Sequence, residues 1–138
     1  MCLKKFLVLF VLFLCGCGNK VHLNCSYVDN SSILGSKKIS DVIEFRDDEI
    51  ISYKRNIVFS FHSEMNENSR SIYKLVKLEG KALKKYIGGR YRISRNDDSV
   101  SMIFSSRKLN NLKYIGIDGS YSYDDVLSVY GELGFSCK

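Results

Sequence analysis

A hydroxyl or thiol nucleophile needs a base to take its proton and an acid to orient that base. The chain offers two histidines for the base, His22 and His62. His22 falls on the polar side of an alternating segment, and His62 at a junction where the periodicity changes. Serines are plentiful, but none sits in a glycine-flanked elbow of the G-x-S-x-G kind. Adjacent carboxylates occur at Asp47-Asp48, Asp97-Asp98 and Asp124-Asp125. Acid–base catalysis needs two carboxyls converging on a substrate with separated pKa values. Turn and helix-start roles account for these three pairs. The stretch Asp118 to Asp125 lacks the alternating ligands of a calcium loop. Gly88-Gly89 and Gly116–Gly119 lack the lysine of a phosphate loop. These residue types form no catalytic set, and no cofactor or metal site is expected.

One charged stretch is less neutral in meaning. Lys81, Lys84, Lys85, Arg90, Arg92 and Arg95 fall within fifteen residues that contain no acid, with Tyr86 and Tyr91 interleaved. Such a run makes a local positive potential. Next to an anionic surface each cation is worth about 1 kcal/mol. Anionic lipid or a polyanionic cell-wall polymer would be the partner; a plain solvated face is the alternative.

The five cysteines divide by position. Lys4 and Lys5 precede an unbroken apolar run from Phe6 to Cys15. Ten apolar residues are too few for a membrane span, which needs about 20, and suit a secretory signal. Leu14-Cys15-Gly16-Cys17 resembles a bacterial lipobox, with Cys15 standing where a smaller or hydroxylated residue is commoner. The resemblance implies cleavage after Gly16 and acylation of Cys17, so residues 1–16 are a signal peptide and 17–138 one extracytoplasmic domain. Two or three acyl chains anchor firmly where one does not. Removing Lys4 and Lys5 from 21 basic residues leaves 19 against 15 acidic ones, too mild a balance for a nucleic-acid binder. Cys25 and Cys137 then remain as an even pair in an export compartment. A bond between them is expected, with two free thiols as the alternative.

The elements that must position these residues follow from periodicity. Val21, Leu23, Cys25 and Tyr27 alternate with polar residues, as do Ile39, Asp41, Ile43 and Phe45. Asp41 breaks the apolar set. Arg46 to Glu49 reads as a tight turn, and Ile51, Tyr53, Arg55, Ile57, Phe59 and Phe61 as a third strand. Ile72, Leu75, Val76, Leu83, Tyr86 and Ile87 recur at helical spacing, with Ser63 as N-cap and Gly88-Gly89 as the stop. Gly80 weakens the middle of that helix. Tyr91 to Phe104 reads as a hairpin turning at Asn96-Asp97-Asp98. Tyr114, Ile115 and Ile117 suggest a short strand. Ser122-Tyr123-Asp124-Asp125 resembles a capping box, and Val126, Val129, Tyr130 and Leu133 share a helical face up to Gly134. The fold class is α+β: an antiparallel sheet of five to six strands with two helices packed on it. With 138 residues there is room for one domain.

The lipobox, the early Cys25-Ser26-Tyr27 and the ending Gly134-Phe135-Ser136-Cys137-Lys138 resemble small lipoproteins of low-GC Gram-positive bacteria. That resemblance implies location, architecture and a paired Cys25 and Cys137, and no particular chemistry. The expected role is a lipid-anchored envelope protein that binds or scaffolds without catalysis. Its partners would be the membrane through the lipid and an anionic lipid or wall polymer, with no nucleic acid. The alternatives are a small envelope hydrolase using His22 or His62, and an inhibitor of a secreted enzyme.

Overall fold

The computed structural model describes residues 18–62, 66–117 and 122–138. The proposed signal segment, Cys17 and the proposed N-cap Ser63 lie outside the described residues. Six strands form one sheet in the order β4-β5-β3-β2-β1-β6, every neighbouring pair antiparallel. They are β1 (Lys20–Asp29), β2 (Gly35–Arg46), β3 (Glu49–Phe61), β4 (Arg90–Arg95), β5 (Ser99–Ser106) and β6 (Ser136–Cys137). Helix α1 (Asn66–Tyr86) links β3 to β4, and α2 (Tyr123–Glu132) precedes β6. The fold is α+β, as expected from the sequence.

Strands β1 to β3 form a meander. Its second turn is Asp47-Asp48, with both residues at positive φ (50° and 64°). This two-residue geometry matches the twist of the strands it joins. Strands β3 and β4 point the same way with β5 between them, so a helical crossover must connect them. That crossover is α1, which packs on β3, β4 and β5, while α2 packs on β1 and β6.

Both helices lie on one side of the sheet. Alternation therefore sends Leu23, Ile43, Tyr53, Ile57, Val100, Met102 and Phe104 into the core with Ile72, Val76, Leu83, Val126 and Tyr130. The other face carries Asn24, Lys38, Lys54, Arg90, Arg92, Ile103 and many serines, and no helix among the described residues covers it.

Several expectations need correction. A register shift at Glu44/Phe45 pairs Phe45 with Ile50, so Ile50 rather than Ile51 packs against the core. On α1, Leu75 and Tyr86 are exposed, because the buried stripe is narrower than the apolar one. Leu133 at the end of α2 is exposed as well. Leu112–Ile115 is a 3-10 turn and not a strand. The Asn111 side chain accepts from the Lys113 amide, and Gly116 closes the turn at φ 90°. Gly80 is a place of contact rather than weakness. A Cβ there would stand 2.7 Å from the Tyr91 ring and 2.8 Å from Met102 Sδ, so glycine lets α1 approach the sheet.

Candidate functional site

The residue that breaks the apolar pattern of β2 lies at the centre of a buried network. Asp41 has a fully buried side chain. It accepts from Arg55 Nε at 2.8 Å and Arg55 Nη2 at 2.7 Å, a bidentate pair across β2 and β3. It also accepts from the hydroxyls of Tyr53 (3.2 Å) and Tyr130 (2.6 Å). Arg55 Nη1 approaches Glu79 of α1 at 3.7 Å, and Glu79 pairs with Lys37 at 3.2 Å. Burial pushes both phenols above their ordinary pKa, and the Asp41 charge adds to it. Burial alone works against the Arg55 charge, but its hydrogen bonds to Asp41 prevail and hold its pKa up. Every donor aimed at Asp41 comes from the fold, and Asp41 itself has no solvent exposure. This arrangement ties α1, α2 and two strands together. It presents no free base to a substrate.

The histidines are set far apart. His22 sits at the start of β1, opposite Glu44, which lies opposite Ser52. His62 follows the last residue of β3, at the other end of the sheet. The row His22–Glu44–Ser52 holds the three residue types of a hydrolytic triad in the wrong order. A relay needs the histidine between nucleophile and acid. Here the Ser52 hydroxyl donates to Glu44 at 3.0 Å, and Glu44 is ion-paired with Lys20 at 3.0 Å. The Lys20 and Ser52 hydrogen bonds hold the Glu44 carboxyl below its usual range.

The basic stretch divides between two elements. Lys81, Lys84 and Lys85 are exposed on α1, the last two in its final turn, where cations complement the helix dipole. Arg90 and Arg92 point from β4 onto the uncovered sheet face. Arg95 belongs to the helix-covered side and stacks over Tyr73 at 5.9 Å. β4 is an edge strand, and its charges also discourage strand addition.

The sequence reading missed what surrounds Arg90. β5 ends opposite Tyr53, while β3 continues back to Glu49. The resulting step in the sheet edge opens a cleft of about 780 Å³. Lys54, Arg90, Arg107 and Lys108 line it together with Ser52, Ser105 and Ser106, and none of its described lining residues is acidic. Gly89 holds the chain against β5 here. Its φ is +117°, and a Cβ would strike the Ser105 carbonyl oxygen. Arg107 and Lys108 lie in a stretch of no periodicity, and Lys54 alternates alone within a strand. Only the pairing of β3, β4 and β5 brings the four cations together.

Cys25 and Cys137 are bonded. They face each other in the β1–β6 register, flanked by the reciprocal Asn24–Lys138 backbone bonds. Non-hydrogen-bonded pairs of this kind bring side chains closest.

No protein-family description matches the chain, and no curated protein matches it in sequence. Its fold is similar to the NMR structure of a protein from Streptococcus pneumoniae TIGR4, with a TM-score of 0.50 at 10% identity. The likeness covers 87% of this chain and 86% of that one. It concerns the fold alone.

Proposed function

We propose that this protein is a lipid-anchored domain on the outer face of the bacterial cytoplasmic membrane that binds or scaffolds an anionic envelope component without catalysing a reaction. The anchor rests on the lipobox-like Leu14 to Cys17 and the short apolar run before it. The observation that carries the binding role is the cleft with four cations and no acid among its described lining residues. Like charges gathered this way repel one another, and an anion between them relieves that repulsion. The order of the His22–Glu44–Ser52 row weighs against serine hydrolysis there.

Isolated envelopes offer the test. A form without the acylated cysteine, residues 18–138, which no lipid can hold in the membrane, should bind them at low ionic strength and come off as salt rises through ~0.1 M, where the screening length falls to about 10 Å. His22→Ala with His62→Ala should bind as the wild type does. Binding indifferent to salt would exclude an anionic component.

A further inference from the structure

We infer that the cleft between Lys54, Arg90, Arg107 and Lys108 is a binding site for the phosphate head groups of anionic phospholipids in the membrane that carries the anchor. This inference rests on the tethered reading proposed above.

Register fixes which end of the domain meets the membrane. β1 begins at Lys20, so Gly18 and Asn19 alone separate it from Cys17. Three residue steps span at most about 11 Å, which holds Lys20 close to an acylated Cys17. Lys20 lies opposite Arg46, at the same end as the Asp47-Asp48 turn. The cleft opens from the middle of the sheet toward that end. Asn24, Val42, Lys54, Ser105 and Arg90 form one row across five strands, about 13 Å along β1 from Lys20. Arg107 and Lys108 follow β5 as it leaves the sheet toward the same end. Lys84 and Lys85 end α1 just before Arg90 and add to the field there.

The chemistry of the lining suits a phosphodiester. Arginine and lysine are the side chains that recognise phosphate oxygens. Of the lining serines, Ser52 donates to Glu44 and Ser106 to the Lys108 carbonyl oxygen, so Ser105 is the hydroxyl left to supplement them. The volume exceeds a bare phosphate and leaves room for a polar head group. The domain also supplies its own control. Arg70, Tyr73, Lys74, Lys77 and Arg95 surround a second basic recess. It involves the first half of α1 and the last residue of β4, at the far end from Lys20. A general attraction of cations for anions would use both recesses; a membrane-facing site uses only the first.

The test is photo-crosslinking of the protein purified from membranes and reconstituted into phosphatidylcholine vesicles. These contain phosphatidylglycerol with a photoreactive head group. Cross-links should concentrate at the cleft, with the far recess labelled at least about tenfold less. Lys54→Ser/Arg107→Ser/Lys108→Ser should lower labelling of the cleft by roughly 100-fold, since each cation near an anionic surface is worth about fivefold. All three side chains are exposed, so the fold should tolerate the change. Arg70→Ser/Lys74→Ser/Lys77→Ser should leave cleft labelling unchanged. Equal labelling of both recesses, or a cleft yield that survives the triple substitution, would overturn the site and leave the tether standing. Protein that fails to sediment with the vesicles would remove the tether and the site together. Competition by soluble polyglycerol phosphate, with binding of that polymer in the absence of vesicles, would assign the cleft to a wall polymer and overturn the lipid assignment.

Discussion

Asp41 looks in the sequence like an interruption, a carboxylate where β2 should be apolar. In the fold it receives four hydrogen bonds from Arg55, Tyr53 and Tyr130. Removing one partner of a buried ion pair strands the other, at a typical cost of 3–5 kcal/mol. Asp41→Ala should therefore destabilise the domain by about 3–5 kcal/mol in urea unfolding. Tyr130→Phe removes one hydrogen bond to a charged group and should cost about 1.5–3 kcal/mol. The raised tyrosine pKa values also set a pH dependence. In the unfolded chain both phenols lose their protons near pH 10, and in the native state they keep them to higher pH. Above that point the unfolded state binds fewer protons, so stability is intact below pH ~10 and falls as pH rises. Each tyrosine contributes a slope approaching about 1.4 kcal/mol per pH unit. Tyr130→Phe should remove one share of that slope, measured by urea titrations across the alkaline range. No single-residue cue in the sequence pairs Asp41 with Tyr130, which lies 89 residues away.

Among the elements, strands were easier to read than their edges. Alternation placed β1, β2, β3 and the β4–β5 hairpin, because one side of the sheet is covered and the other is not. It could not place the bulge that selects Ile50, since one inserted residue reverses the side on which all residues beyond it fall. The capping box of α2 was legible in Ser122 and Asp125, which hydrogen-bond to each other. The two-residue β6 was not, for so short a strand has no period. The cleft was half legible. Arg90 belonged to a visible basic run, whereas Lys54, Arg107 and Lys108 join it only through pairing. Gly89 marks the junction that makes this possible. Gly89→Ala would place a Cβ against the Ser105 carbonyl oxygen and Ser106 in a left-handed backbone. It should destabilise the domain by more than about 1 kcal/mol and disturb the Arg90 end of the cleft, read by thermal unfolding and by amide shifts at Ser105 and Ser106.

At the scale of the whole molecule, the Cys25–Cys137 bond closes a loop spanning 112 residues. It fastens β6 to β1, next to the strand that carries Asp41. Chain-entropy estimates for so long a loop reach about 4–5 kcal/mol. Cys25→Ser/Cys137→Ser should lower the midpoint of thermal unfolding markedly, and a reducing agent should do the same to the wild type and nothing to the variant. On the function proposed above, the anchor would hold the domain close to a membrane with its basic cleft turned toward it. Intact mass of the protein purified from the membrane fraction, before and after reduction, tests that description most directly. The expected mass is that of residues 17–138 plus acyl chains, gaining two hydrogens on reduction of the one bond. An unacylated chain, or one that still carries residues 1–16, would contradict the tether and every role built on it.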